Sequence, residues 1–261
     1  MGGEGPLTFE MRGHNTYLDR TNPQARAGAE ISIVSPRLQC MIKIETYPDR
    51  ESLADAAASA LANALSVAGP KSLVAAGGST PLATYRRLSV MDLSWSRVTV
   101  TLGDERWVNA SAPESNERMI RETLLQDHAV AARFLPLTGH GAGPDDDASA
   151  VEPELQRMAP FSAVLLGMGE DGHVASLFPG NPSPPPDRWC VGVAMSGLAP
   201  FVPRITLTPR ALLATRSLVL QIIGPAKRAI VERVLAGHGE DLPVALVLRQ
   251  AATPVRVLWA P

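Results

Sequence analysis

The chain has 261 residues, of which 45% are hydrophobic and 5% aromatic, and its net charge is −2. This length is enough for one large α/β domain or two small ones. The near balance of 24 basic and 26 acidic residues argues against a nucleic-acid-binding protein, which usually carries a basic excess.

The two cysteines, Cys40 and Cys190, form no CxxC pair. The sequence therefore predicts neither a disulfide framework nor a structural zinc site, and it favours the reducing cytoplasm. It contains no apolar run of about 18 residues, the length that spans a bilayer, and its N-terminus lacks the basic-then-apolar order of a signal peptide. We expect a cytoplasmic protein that contacts no membrane, with a monomer as the default state.

Residues 1–40 differ in composition from the rest of the chain, because they are rich in Gly, Arg, Asn and Pro and show little periodicity. We interpret them as a disordered N-terminal extension. The alternative is that residues 31–34 form an extra edge strand. Residues 41–261 are predicted to form one α/β domain.

Strands and helices alternate along this domain. The predicted strands are 41–45, 73–76, 98–102, 134–137, 163–166, 205–207, 218–223 and 255–258. The predicted helices are 50–67, one that begins at Pro81 with Thr80 as N-cap, 116–125 capped by Ser115, one begun by Thr208 and Pro209, and 225–235 closed by Gly237. Segments 139–147 and 179–187, rich in Pro, Gly and Asp, are predicted to be surface loops.

This alternation predicts a three-layer α/β fold, with a Rossmann-like, mostly parallel sheet and helices on both faces. In such folds ligands bind beyond the carboxyl ends of the strands. Four Gly-rich or charged segments directly follow or flank predicted strands, and they are the candidate functional segments.

The first segment is Gly77-Gly78-Ser79-Thr80, between a strand and a helix. Glycine permits close approach of the backbone to a ligand, and the N-terminus of a helix attracts phosphate. The spacing fits neither a Walker loop nor a dinucleotide fingerprint. A phosphate-binding loop and a plain tight turn both stay open at this point.

The second segment, Gly224-Pro225-Ala226-Lys227, begins another helix. A lysine in the first turn opposes the helix dipole, and a bound anion would relieve that repulsion. Arg204 is another candidate cation. Taken singly, either residue is also explained as a solvated surface charge.

The third segment, Gly103-Asp104-Glu105-Arg106, follows an apolar strand. Three successive charged residues are costly to bury unpaired, so they either line a cleft that binds sugar hydroxyls or form a solvated turn.

The fourth segment, residues 167–180 with the sequence GMGEDGHVASLFPG, places His173 after a tightly bent glycine turn, where we expect a helix to begin. A histidine with an ordinary pKa of about 6.5 is mostly a free base at pH 7 and accepts a proton from water. Asp171 or Asp104 is expected to orient it. The other histidines show no metal-ligand spacing, so no metal is predicted, and no GxSxG elbow supports a serine nucleophile.

Taken together, these segments resemble the 6-phosphogluconolactonase family, which is grouped with the glucosamine-6-phosphate isomerases and deaminases. The residues that carry the resemblance are GGSTP, DERWV with Ser115-Asn116 downstream, GMGEDGHVASLFPG, RITLT and GPAK. It covers residue 41 to the C-terminus. Val174, where a threonine is common, and Pro203 before Arg204 depart from the usual pattern.

The resemblance implies hydrolysis of 6-phosphoglucono-δ-lactone to 6-phosphogluconate in the oxidative pentose phosphate pathway, without metal or organic cofactor. By the same resemblance His173 activates water, while Asp104 and Arg106 shape the site and Arg106 stabilises developing negative charge. The residues implied to hold the 6-phosphate are Gly77, Gly78, Ser79, Thr80, Arg204 and Lys227.

Two other functions are weighed. In the deaminases the histidine is followed by a segment of the type NEPG, whose glutamate assists sugar ring opening, whereas here Ser176 to Gly180 contain no carboxylate. A non-catalytic sugar-phosphate sensor would normally carry a DNA-binding module, and residues 1–40 show no helix-turn-helix pattern. The sequence therefore favours the lactonase.

Overall fold

A computed structural model describes residues 42–69, 71–194 and 199–261. The predicted extension, its alternative strand and Met41 lie outside these residues. Within them, no helix is both long enough and apolar enough to cross a membrane.

The described chain contains ten strands and seven α-helices. The strands are β1 (Ile42–Thr46), β2 (Lys71–Ala75), β3 (Val98–Leu102), β4 (Asp104–Arg106), β5 (Arg133–Phe134), β6 (Ala163–Leu166), β7 (Cys190–Val193), β8 (Arg204–Leu207), β9 (Leu218–Ile223) and β10 (Val255–Ala260). The helices are α1 (Arg50–Ser66), α2 (Leu82–Ser89), α3 (Asn116–Thr123), α4 (Pro144–Met158), α5 (Pro209–Leu213), α6 (Pro225–Leu235) and α7 (Pro243–Gln250).

Seven strands form one parallel sheet in the order β1-β10-β9-β6-β2-β3-β5. The chain advances one way across the sheet from β1 through β2 and β3 to β5, and then returns through β6 and β9 to β10. Since crossovers between parallel strands are right-handed, the helices of the two halves cover opposite faces. Accordingly α1 contacts α2 and α2 contacts α3, while α7 contacts α5 and α6. The predicted α/β class, with its mostly parallel sheet, is confirmed.

The order in which the chain fills the sheet reverses between the adjacent strands β6 and β2, although the two strands are parallel. Both strands are wholly buried, as expected for the centre of a parallel sheet covered on both faces. At such a switch point the connections leave in opposite directions and open a crevice at the carboxyl ends of the strands.

A second sheet of three antiparallel strands, β4-β8-β7, lies beside this edge. In its register Asp104 is opposite Thr206 and Arg106 is opposite Arg204. The alternative of a solvated turn at residues 104–106 is thus wrong, because the segment pairs with β8 and both Asp104 and Glu105 are buried.

Several local predictions are corrected by the structure. Segment 139–147 is only partly a loop, because α4 begins at Pro144 and its first turn carries Asp145, Asp146 and Asp147, an arrangement that the helix dipole favours. Helix α2 begins at Leu82 with Pro81 as its N-cap, one residue later than predicted.

No helix begins at His173. Instead, Val174 and Leu177 form an isolated antiparallel bridge, with Ala175 between them at a φ of +50°. Strands β4 and β7 and helices α4 and α7 were not predicted.

Candidate active site

A cavity of about 280 Å³ opens at the switch point. The loops that follow β2, β3, β6 and β9 all reach it, because these strands are neighbours in the sheet and point the same way. Nine of the predicted site residues line it: Gly77, Gly78, Ser79, Thr80, Asp104, Arg106, His173, Arg204 and Lys227. The tenth, Asp171, lies just outside the lining and contacts His173.

The loop after β2 approaches the cavity through two glycines with different requirements. Gly78 has a φ of +85°, a backbone conformation that residues other than glycine rarely adopt. A Cβ at Gly77 would collide with the side chain of Asn116. Beneath the loop, the buried Tyr85 hydroxyl donates to the carbonyl of Ala76 at 2.7 Å. The loop backbone is therefore held where a ligand can approach it.

The charge of the cavity lining is positive although the chain is slightly acidic. Three cations, Arg106, Arg204 and Lys227, line it against the single carboxylate of Asp104. Arg106 and Arg204 occupy directly opposed positions of β4 and β8, an arrangement that like charges destabilise. The Nε of Arg106 is buried and makes no hydrogen bond within the described residues. A bound anion would relieve the repulsion.

Arg204 is the more enclosed of the two arginines, with its side chain 6% exposed. Burial lowers its guanidinium pKa, and Asp104 opposes that effect. The Nη1 of Arg204 lies 3.9 Å from Oδ2 of Asp104, and its Nη2 donates to the carbonyl of Pro200. Burying a cation requires such compensation, and the sequence did not predict the pair with Asp104.

His173 contacts Asp171 rather than Asp104. Its Nδ1 lies 2.6 Å from Oδ1 of Asp171, and its backbone N–H donates to the same oxygen at 3.1 Å. Partial burial raises the Asp171 pKa, but these hydrogen bonds outweigh it and bring the pKa below its ordinary value. A carboxylate can only accept, so this contact requires the proton of the imidazole to lie on Nδ1, and the tautomer with Nδ1–H has its lone pair on Nε2.

The glycines around His173 allow this arrangement. A Cβ at Gly169 would collide with the imidazole, so the ring lies directly against the backbone of its own loop. Gly172, at a φ of +84°, turns the chain between Asp171 and His173, and the Gly169 N–H closes the turn on the His173 carbonyl at 3.0 Å.

Three further side chains belong to the site but were not predicted. Asn116 donates to the Asp104 carbonyl at 2.9 Å and accepts from Arg106 at 3.1 Å. Ser176 donates to Oδ2 of Asp104 at 2.6 Å. The ring of Phe178 lies 5.0 Å from that of His173 and 5.6 Å from the Arg204 guanidinium. All three residues lie in the segments that carry the family resemblance, and this was the signal by which the sequence could have identified them.

Buried Glu105 joins β4 to the start of α3. Its carboxylate accepts from the backbone N–H groups of Arg106, Asn116 and Glu117 at 2.6–2.7 Å. It also accepts from the Ser115 hydroxyl at 3.0 Å. Burial raises the Glu105 pKa against these hydrogen bonds. The carboxylate occupies the helix N-terminus, so that end of α3 is not open to a ligand.

Residues 42–69, 71–194 and 199–261 contain no cluster of three or more His, Cys, Asp or Glu side chains able to hold a metal ion.

Comparison with known proteins defines the class of this fold and site. The model of the family described as glucosamine-6-phosphate isomerases/6-phosphogluconolactonase matches residues 48–259, and the chain belongs to this family. The sequence-based predictions of this family and of an ester-hydrolysing enzyme are confirmed.

Two curated sequences are similar to this chain over most of their length. The 6-phosphogluconolactonase of Caulobacter vibrioides is 43% identical over 229 residues, covering 84% of this chain and 97% of the relative. That of Rhizobium meliloti is 38% identical, covering 81% and 94%.

Solved structures agree with the sequence relatives. A 6-phosphogluconolactonase from Shewanella baltica is 34% identical with a TM-score of 0.76, covering 84% of this chain and 97% of that one. A monomeric glucosamine-6-phosphate deaminase, 21% identical with a TM-score of 0.74 and coverage of 84% and 97%, shares the fold.

Proposed function

We propose that this chain hydrolyses 6-phosphoglucono-δ-lactone to 6-phosphogluconate, with His173 as the base that activates water. The observation that carries the proposal is the 2.6 Å contact between His173 Nδ1 and Asp171 at the edge of a cavity lined by three cations. The similarity to curated 6-phosphogluconolactonases supports the same substrate. The reaction belongs to the oxidative pentose phosphate pathway.

In this proposal the 6-phosphate is bound by the loop of Gly77, Gly78, Ser79 and Thr80 together with Lys227 and Arg204. Backbone N–H groups and hydroxyls of the loop donate to phosphate oxygens, and the start of α6 adds its dipole. Lys227, in the first turn of α6, supplies a full charge. Binding through the phosphate positions the lactone ring without requiring chemistry from these residues.

The chemical step needs a base and a stabilised oxyanion. Nε2 of His173 takes a proton from water as the oxygen bonds to the lactone carbonyl carbon, and Asp171 stabilises the imidazolium. Arg106 stabilises the negative charge on the former carbonyl oxygen. The bond between that carbon and the ring oxygen then breaks, and the proton passes from His173 to the released ring oxygen, which becomes a hydroxyl. All steps use this chain's side chains and water.

The deaminase alternative is disfavoured by what surrounds the imidazole. The stretch from Ser176 to Gly180 after His173 contains no carboxylate, and the aromatic ring of Phe178 lies 5.0 Å from the imidazole. Ammonia release from glucosamine 6-phosphate would favour the deaminase instead. Cytoplasmic location, a monomeric state and the absence of a nucleic-acid partner stay predictions.

The decisive experiment compares acid release from freshly generated 6-phosphogluconolactone with and without the protein. We expect the wild type to exceed the spontaneous rate. His173→Asn should reduce kcat by about 10²–10⁴-fold, the usual contribution of a general base. It should leave calorimetric binding of 6-phosphogluconate nearly unchanged, because it removes no phosphate contact.

The exposed His128→Asn serves as the matched control and should retain wild-type turnover. A His173→Asn variant with near wild-type kcat would refute the base assignment alone. A wild type that leaves the spontaneous rate unchanged would refute the lactonase function.

A further inference from the structure

The segment after His173 turns back and places the side chain of Ser176 against Asp104, one of the residues that line the cavity. The bridge between Val174 and Leu177 and the positive φ of Ala175 turn Ser176 inward, where it is 1% exposed. Its backbone N–H donates to the hydroxyl of Thr206 on β8 at 3.2 Å. Ser176 is thus held at a defined position by the second sheet.

From this position the hydroxyl of Ser176 donates to Oδ2 of Asp104 at 2.6 Å. The same oxygen lies 3.9 Å from the Arg204 guanidinium. A hydroxyl donating to a carboxylate is among the stronger protein hydrogen bonds, and the bond joins two residues that are 72 positions apart. Oδ2 is therefore engaged by protein groups on its buried side.

The other oxygen of Asp104 is differently placed. Within the described residues its hydrogen bond is the long 3.4 Å contact from Asn116, so Oδ1 retains acceptor capacity. Asp104 also lines the cavity. A carboxylate oxygen with spare capacity at a cavity that takes a polyhydroxylated ring is suited to accept from a ring hydroxyl.

We propose that Ser176 is a positioning residue that orients Asp104, so that Oδ1 accepts a hydrogen bond from one ring hydroxyl of the lactone and makes the enzyme selective for substrates carrying it. The proposal rests on the proposed lactonase function. It assigns to Ser176 a role in selectivity that is separate from the base and from the phosphate anchor.

The test uses the parent 6-phospholactone and its 2-, 3- and 4-deoxy analogues. We expect the wild type to prefer the parent over one deoxy analogue by about 10–100-fold in kcat/KM, the range for a hydrogen bond to a charged group. Ser176→Ala should reduce that preference at least about fivefold. It should leave turnover of the discriminated deoxy analogue almost unchanged, because that substrate has no hydroxyl to offer.

Variants at the same position separate orientation from packing. Ser176→Cys keeps nearly the same size with a weaker donor and should behave like Ser176→Ala, whereas Ser176→Thr restores a hydroxyl and should recover the preference. Ser183→Ala, at an exposed loop position, should have no effect. Thermal unfolding of each variant identifies any that fail to fold, and the selectivity ratio is then read from the folded ones.

The outcomes are distinct. If Ser176→Ala and Ser176→Cys leave unchanged the ratio of kcat/KM between the parent lactone and each deoxy analogue, the selectivity role is refuted while the lactonase function stands. If the wild type hydrolyses none of the lactones, the lactonase function fails and the inference fails with it.

Discussion

At the scale of single residues, the chemistry of the site depends on which carboxylate each charged group meets. The sequence left open whether Asp171 or Asp104 orients His173. In the structure Asp171 contacts the imidazole, while Asp104 is engaged by Ser176, Asn116 and Arg204. The contact between Asp171 and His173 could be predicted from the sequence, because both residues lie in one glycine-rich turn. The contacts of Asp104 involve three other segments.

Lys227 provides a prediction at this scale. Lys227→Ala should weaken binding of 6-phosphogluconate by about 10–100-fold, since a charged hydrogen-bond donor contributes roughly 1.5–3 kcal/mol. The kcat at saturating lactone should change little. Calorimetry and steady-state kinetics measure the two quantities.

The control is Lys43→Ala, which removes a lysine 78% exposed on β1 and should leave affinity unchanged. Unaltered affinity in Lys227→Ala would contradict the assignment of Lys227 to the phosphate.

At the scale of elements, the site depends on the attachment of β4 to α3. Glu105 makes this attachment through four hydrogen bonds to its carboxylate. It thereby places Arg106 and Asn116, its bonding partners, at the cavity. The sequence showed three adjacent charged residues but not their different roles, in which Asp104 and Arg106 line the cavity and Glu105 binds the start of α3.

Glu105→Gln should lower the free energy of unfolding at pH 7 by about 3 kcal/mol, in the range for breaking a buried polar network. The amide cannot accept from all four donors, and its own N–H groups would face backbone N–H groups. Urea denaturation measures the change. The exposed Glu122→Gln, which breaks an i,i+4 pair with Arg118, should cost no more than about 0.5 kcal/mol. Equal effects of the two variants would refute the anchoring role.

At the scale of the whole molecule, the switch point brings together segments that are far apart in the chain. The parallel sheet that creates this switch point has β1 at one edge, paired with β10. Across this pair, Arg256 donates to both carboxylate oxygens of Glu45 at 2.8 and 2.9 Å. These hydrogen bonds, with one from Tyr47, outweigh the effect of burial and lower the Glu45 pKa to about 2. This ion pair joins the first and last strands of the described chain.

The pair predicts a pH-dependent stability. Because the folded-state pKa lies below the ordinary value, the stabilisation is fully present above about pH 4.5 and is lost as the pH falls through about 2. Since Arg256 is 37% exposed, we expect Glu45→Gln to cost only about 1 kcal/mol at pH 7.

Urea denaturation between pH 7 and pH 3 measures the difference between wild type and variant, which should narrow toward acid. The exposed pair Arg228–Glu232 supplies the control, and Glu232→Gln should show a small effect that hardly varies. A Glu45→Gln difference that widens toward pH 3 would contradict the prediction.

The sequence alone determined the elements whose signals are local. Strands β3, β6 and β9 and helix α6 have the predicted bounds, because a short apolar run or a capping residue specifies them without reference to other parts of the chain. It also placed nine cavity residues in segments after or beside strands. Local signals misled where they were ambiguous, since Pro, Gly and Asp mark both a loop and the first turn of α4.

Only the tertiary structure decided how these segments meet. The pairing of β4 with β8 sets Arg106 opposite Arg204, and the turn after His173 brings Ser176 to Asp104. Both depend on strand register across the second sheet, which a pattern within one segment does not contain. The sequence therefore specified the groups available for chemistry, whereas the fold specified their partners, because hydrogen bonds and ion pairs require distances that only the folded chain sets.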